Sequence, residues 1–545
     1  MTPSPLFRVA PLSERWFDRP QYRPRVGPED SGRWFLLSGA VPRAAVLPPP
    51  PAPVPEELRP PPEAVRKAVE ATYEDWDVPD SPAARRNIEA LSRDDTITVV
   101  AGQQPGFLTG PLYTIYKAVS AIALAEACEK AHGRRCVPVF WVAGEDHDVD
   151  EIREARFPGA DGEVVARLPH AAGRRPLSTL PVDEATEAVL DEVIRHLRGR
   201  RHGDEAASLV ELYRGRNLAS GCAAILARLR GKHGLVIVDP EKLRPLAAPI
   251  FQRLVEEADA VVDALREGRR RLEKRGVKPF VAARLPLFLL RDGSREHVAF
   301  EGGRLRIDGG GPALDRAALL DELARDPGAF SAGAILRPLI QHVVLRSGLT
   351  VGGPAEVGYF AQLPPLSGWL GIETPRIALR AQCTMIDGKA ARSWERLGID
   401  GEDLAAARRP EDLVRLDDGS PRLEWARRLQ AEVRALREEL LEGGGFGEAA
   451  RRRLERSSRK AELAVGGVVE RLEQELRRRD EEGFLAATTL WNHVFPGDAL
   501  QERRWNAFHY LAKYGTRWLE GLLDAIRKSP LSLNHLLLLF RGESS

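Results

Sequence analysis

Through the first two-thirds of the chain, short apolar runs rich in branched residues alternate with longer stretches of three- and four-residue apolar spacing. Residues 96–101 (TITVVA) make the first clear run, which a Gly/Pro turn ends. In 112–132, Ile115, Val119, Ile122 and Ala123 recur with helical spacing. Residues 137–143 (VPVFWVA) are continuously apolar, as a strand covered on both faces is. The run 235–238 (LVIV) repeats that pattern up to Asp239-Pro240, and further strands are expected in 280–290, around 343–351 and in 376–380. Strands alternating with helices predict an α/β fold, with a mainly parallel, doubly wound sheet.

The last third reads differently. Trp425, Leu429, Val433, Leu436 and Leu440 recur among Arg and Glu in 422–442, and Leu454, Ala461, Val465, Val468, Leu472 and Leu476 continue a comparable stripe. Gly443-Gly444-Gly445 breaks the pattern between them, which predicts an antiparallel helical hairpin or coiled coil. One partner helix buries so narrow a stripe poorly, so a homodimer through the hairpin is expected. At the N-terminal end Trp16, Phe17, Trp34 and Phe35 are candidate anchors, and the prolines of 42–63 form an extended connector. The expected division is 1–63, an irregular segment with the connector; 64–415, the α/β core with insertions; 416–485, the hairpin; and 486–545, a helical segment packing on the core.

Charge narrows the partners. The 545 residues carry 80 Lys+Arg against 79 Asp+Glu, a net +1, which gives no electrostatic reason to expect nucleic acid or an anionic membrane. No apolar run approaches the ~18 residues of a spanning helix, and the first twenty residues lack the apolar core of a secretory signal. Four cysteines without CxxC spacing argue against a zinc ribbon or a disulfide framework. A cytoplasmic protein is expected.

Ligands of an open α/β sheet bind beyond the carboxyl ends of its strands. Three such ends carry unusual sequences here. The first, 102–111 (GQQPGFLTGP), offers Gln103 and Gln104, the close-approach glycines Gly106 and Gly110, Thr109, and a helix start suited to anions, with Tyr113 and Lys117 following in the helix. The second, 144–151 (GEDHDVDE), crowds Glu145, Asp146, His147 and Asp148 against a buried strand. Such a cluster suits a cation or an imidazole poised by carboxylate contact as a general base, and helix capping with arginine pairing is the structural alternative. The third, 351–360 (VGGPAEVGYF), presents Gly353, Glu356 and Tyr359, with Arg337 nearby and Arg376 and Arg380 on the next strand. Arginines beside a carboxylate-rich cleft suit a carboxylate substrate, and equally suit neutralising the cluster.

The runs 102–117 (GQQPGFLTGPLYTIYK), 137–152 (VPVFWVAGEDHDVDEI), Arg337-Pro338 and 352–362 (GGPAEVGYFAQ), with Gln501-Glu502-Arg503 and Lys513-Tyr514-Gly515, resemble in order and separation the bacillithiol biosynthesis cysteine-adding enzyme family, BshC. The likeness runs from about residue 90 to 520, departing at Tyr116, where the family pattern has histidine. It implies a Rossmann-like core with inserted connecting segments, in the style of class I aminoacyl-tRNA synthetases, and a dimerising coiled coil. The implied activity is a ligase joining cysteine to glucosaminyl-malate by an amide bond in the last step of bacillithiol formation. On that assignment Asp146 or His147, with Glu145 and Lys117, would be catalytic, and Arg337 and Arg376 would meet the malate carboxylates. No cofactor is assigned with certainty and no metal is expected. ATP or ADP is the ligand left open, held by Gly106, Thr109, Gly110 and Lys117 or in a separate pocket near the hairpin and 501–514. The rival readings are a non-catalytic nucleotide-binding scaffold and a metal-dependent hydrolase built on Glu145–Asp150.

Overall fold

A computed structural model describes residues 7–11, 51–52, 54–159, 162–169, 173–274, 279, 281–308, 313–414, 422–442, 447–528 and 535–540. The anchors at Trp16, Phe17, Trp34 and Phe35, much of the proline connector and the glycine turn at 443–445 lie outside the described residues. The chain divides into two compact units, Met1–Met385 with Asp498–Glu543, and Ile386–Gly497.

The first unit is built on five parallel strands: β1 (Ile97–Gln103), β2 (Cys136–Val142), β3 (Val236–Val238), β4 (Ser347–Gly352) and β5 (Ile377–Leu379), in spatial order β5-β4-β1-β2-β3. Every residue of β2 is buried, the expected fate of a run that is apolar at both parities. Helix α1 (Leu112–His132) is apolar on nearly all sides in its first half, and Leu112, Ile115, Val119 and Ile122 are fully buried there. Because β2 and β3 lie to one side of β1, and β4 and β5 to the other, the strand order turns between β1 and β4. That turning point is where a ligand crevice opens at the carboxyl ends.

Two expected strands need correction. The one in 280–290 is Leu287–Arg291, and it belongs not to the parallel sheet but to a separate antiparallel sheet with Ser294–Glu301, Arg304–Ile307, Ala313–Leu314 and Phe330–Ala332. The cause is local: Asp292 and Gly293 both take positive φ (50° and 73°), the two-residue turn that sends a strand straight back along itself. The segment around 343–351 divides into helix α2 (Arg337–Leu345) and β4, because Arg346 adopts the left-handed conformation that stops the helix. A small third sheet joins Phe7–Pro11, His535–Phe540 and Gln382–Ile386.

The second unit holds α4 (Arg422–Glu442) and α5 (Glu448–Arg479), which pack along one another. Their shared apolar core is small: Leu423, Ala426 and Val469, with Leu472 against them. Ion pairs supply much of the remaining contact, Glu473 with Arg409 and Arg427, and Glu462 with Arg434 and Arg437. Trp425 and Leu463 stay 66% and 69% exposed. Among the described residues, no helix is long and apolar enough to cross a membrane.

Candidate active site

The carboxyl ends of β1, β2 and β4 meet at a cavity of about 310 Å³. Gln103, Gln104, Tyr113 and Lys117 reach it from the first sequence segment singled out above, Asp146 from the second, and Gly353, Glu356, Tyr359 and Arg337 from the third. Contact between segments is direct. Gln104 Nε2 donates to Asp146 Oδ2 at 3.3 Å, and Lys117 Nζ lies 2.5 Å from Glu356 Oε2 across the turning point of the sheet.

Lys117 is buried and its ammonium also donates to Gly102 O and Gln103 Oε1, each at 2.8 Å. Burial pulls its pKa down, and the Glu356 carboxylate opposes that pull. Glu356 opens helix α3 (Pro354–Phe360), where it accepts the Gly353 N–H at 2.7 Å. The helix start therefore fixes this carboxylate, and its remaining oxygen capacity serves Lys117 and the cavity. Tyr113 is pushed up to about 12 by burial, so its phenol stays protonated.

The acidic cluster after β2 is caged by arginines. Arg337 grips Asp146 with both terminal nitrogens, one at 2.9 Å, and its Nε lies 3.3 Å from Glu145 Oε1. Arg244 Nε donates to Glu145 Oε2 at 3.2 Å, Ser331 Oγ donates to the same oxygen at 2.9 Å, and Arg295 stands 3.4 Å from Asp146. Burial alone would raise both carboxyls, but the guanidinium groups outweigh it and hold Glu145 and Asp146 below their ordinary values. Three arginines thus surround the two carboxylates, and of the five groups Arg337 and Asp146 line the cavity. Among the described residues no group of three or more His, Cys, Asp or Glu is arranged to hold a metal ion, and the oxygens of Glu145 and Asp146 face arginine.

Several expected site residues lie elsewhere. Glu145 stands behind Arg337, outside the cavity lining. His147 does not line the cavity either, and burial and Arg295 lower its pKa, outweighing the upward pull of Asp146 and Asp148. Asp148 is exposed and caps the short helix Val149–Ile152. Arg376 turns to Glu373 at 2.6 Å instead of entering the cleft.

The glycine loop after β1 is closely packed. A Cβ on Gly106 would stand 2.6 Å from Gly110 Cα, so the loop closes only on glycine. Several of its polar groups are engaged: the Tyr213 hydroxyl accepts the Leu108 N–H at 3.1 Å, and Asn506 Nδ2 donates to the carbonyls of Leu108 and Gly110 at 3.0 and 2.9 Å, while the Thr109 hydroxyl has no partner among the described residues. The Leu112 N–H, at the start of α1, goes to Trp505 O at 2.9 Å. Gly106, Thr109 and Gly110 are buried under these contacts and do not reach the cavity.

Two further lining residues are less sharply marked in the sequence, Arg380 as one of the arginines flanking the cleft and Arg503 only as part of a motif. Arg380 lines the cavity while both its Nη atoms hold Glu502, at 2.9 and 2.6 Å, and Arg503 lines it next door. The Gln501-Glu502-Arg503 motif was the available signal. Arg244 and Arg295 carried none: Arg244 reaches the cluster from just beyond β3 and Arg295 from the separate antiparallel sheet.

The chain matches the family model described as "Bacillithiol biosynthesis BshC, N-terminal Rossmann-like domain" over residues 56–381, and the corresponding "C-terminal coiled-coil domain" over 426–540. Among similar proteins, one from Salinibacter ruber is 31% identical over 474 residues, covering 81% of this chain and 83% of its own. Those from Heliobacterium modesticaldum and Koribacter versatilis are each 33% identical, covering 81% and 83% of this chain and 82% and 85% of their own. All three bear the name "Putative cysteine ligase BshC".

Proposed function

The chain belongs to the BshC family of bacillithiol biosynthesis, and from that premise we propose that it is a ligase joining L-cysteine to glucosaminyl-malate through an amide bond, the last step of that biosynthesis. The observation that carries this reading is that one cavity is lined both by Arg337, which grips Asp146, and by the buried Lys117 paired with Glu356. A malate diacid needs guanidinium partners, and the cavity lining includes Arg337 and Arg503.

The acceptor amine must attack unprotonated. Asp146 is a poor base, since Arg337 holds it ionised and occupied. Lys117 and Glu356 share a proton site at the cavity wall, and burial makes the lysine give its proton up more readily than a free one. This pair takes the amine's proton, while Glu145, Asp146 and Arg295 keep Arg337 in place. His147 stays outside this scheme as a second base to be tested. A carboxylate does not condense with an amine in water unless activated, and ATP is the activator the reading proposes to test. The start of the helix after the loop is a poor place for its phosphates, because the Leu112 N–H already donates to Trp505 O and Gly106, Thr109 and Gly110 do not line the cavity.

Purified protein incubated with cysteine and glucosaminyl-malate, with and without ATP, should yield bacillithiol by mass spectrometry. No product in either reaction, from folded protein, would favour the nucleotide-binding scaffold. Dimerisation through α4 and α5 belongs to the same proposal, supported by the exposed Leu463 and Val468, and a cytoplasmic setting suits a small-thiol pathway. Glutamate at both positions should give monomer in sedimentation analysis, and an unchanged dimer would place the interface elsewhere.

A further inference from the structure

One wall of the cavity takes no part in the scheme above. It holds Trp141, Thr350 and Gln341, with the carbonyl end of Gln104 at its edge. The register explains how they come together. Thr350 pairs with Val100 and Val100 with Val139, so these three point to one face of the sheet. Trp141 and Gly102, two residues further along their strands, point the same way. Gly102 leaves open what a side chain would fill, since its Cβ would come to 3.2 Å from Trp141 Cβ. Gln341 reaches the same cavity from α2.

Three buried polar atoms here have no partner among the described residues. Trp141 is 4% exposed, and its indole N–H bonds to nothing among the described residues; the same holds for the Thr350 hydroxyl, also on a 4% exposed residue. Gln104 spends its N–H on Asp146 and leaves its carbonyl oxygen buried and unbonded. A buried donor or acceptor without a partner costs ~1–3 kcal/mol, so three of them gathered on residues that line one cavity point to contacts a ligand completes. The indole only donates, the Gln104 oxygen only accepts, and the Thr350 hydroxyl and Gln341 amide do both. None of the four carries a charge. A second carboxylate would be poorly served here; a ring of neutral hydroxyls, each both donor and acceptor, matches the set.

We infer that this wall is the sugar subsite: Trp141 and Thr350, with Gln341 and Gln104, read the hydroxyls of the glucosamine half of the acceptor, while the arginine side takes its diacid. The inference rests on the proposed acceptor and adds which residues distinguish it from malate alone. Trp141→Phe keeps the ring and removes the N–H, Thr350→Val keeps the shape and removes the hydroxyl, and Thr350→Ser keeps the hydroxyl.

Calorimetric titration of the full chain with glucosaminyl-malate and with malate separates the possibilities. Unmodified protein should bind the sugar conjugate more tightly than malate. Trp141→Phe and Thr350→Val should each raise Kd for the conjugate roughly 3–10-fold, the scale of one neutral hydrogen bond, and leave Kd for malate unchanged. Thr350→Ser should behave as unmodified protein. Equal loss for both ligands, or no loss for either, would overturn the subsite, and unchanged malate binding certifies the fold of each variant. Failure of unmodified protein to bind the conjugate at all would overturn the ligase reading itself, and the subsite with it.

Discussion

The carboxyl ends of β2 and β3 are neighbours, with Trp141 paired to Val238, and each is followed by buried acid. Their fates are opposite. Glu145 and Asp146 after β2 are held ionised by Arg244, Arg295 and Arg337. Asp239 after β3 is just as buried, yet its pKa is pushed up to about 7, because burial outweighs the one backbone N–H it caps, that of Glu241 at 3.0 Å. Arg244 is close enough to influence Asp239, but its Nε hydrogen bond goes to Glu145. Burial is common to both ends; the placing of guanidinium groups decides which carboxylates keep their charge, and the charged end is the one on the cavity.

The comparison breaks most visibly at Arg337. Arg337→Ala leaves Asp146 buried without its main cation, so a stability loss of about 3–5 kcal/mol is expected in denaturant unfolding, together with loss of turnover. Arg337→Lys should recover little of either, since an ammonium cannot reproduce the two-pronged grip. Next is Lys117→Met, expected to lower turnover by about 10²–10⁴-fold while leaving the arginine cage and malate binding intact.

At the β3 end the effect is on pH and not on catalysis. Between pH 3.8 and about 7 native Asp239 keeps a proton that the unfolded chain releases, so the native state binds more protons and stability falls as pH rises through that window. Asp239→Asn keeps a capping oxygen and removes the titration. The variant should match unmodified protein near pH 4 and exceed it at pH 8 by up to a few kcal/mol, read as a pH-dependent gap between two melting curves. The smallest effect is expected at His147, which lies off the cavity: His147→Ala should cost about tenfold or less in turnover. A loss of ~10²–10⁴-fold would return the general-base role to its imidazole.

The sequence carried the parallel sheet because its strands are short and apolar at both parities, and β1, β2 and β3 fall within a residue or two of the runs that announced them. It did not carry the second sheet, since Leu287–Arg291 looks like any other apolar run until the Asp292-Gly293 turn folds it back. Gln104, Lys117, Asp146, Arg337 and Glu356 were legible as residues too costly or too unusual for plain loops, and they do line one cavity. Nothing local to Gly106 and Gly110 announced that Trp505 and Asn506, hundreds of positions away, take up the Leu112 N–H and the Leu108 and Gly110 carbonyls. Arg295 arrives on the inserted sheet, and Arg376 is claimed by Glu373. Local pattern says which groups are expensive to bury; only tertiary contacts say which partner each one finds.

That the three strand ends form one substrate cleft is tested most directly by a crystal structure with glucosaminyl-malate bound. Density for the diacid against Arg337, with the amine turned toward Lys117 and Glu356, is the expected result. Clear density for the ligand at any other place, with this cavity holding only solvent, would contradict it.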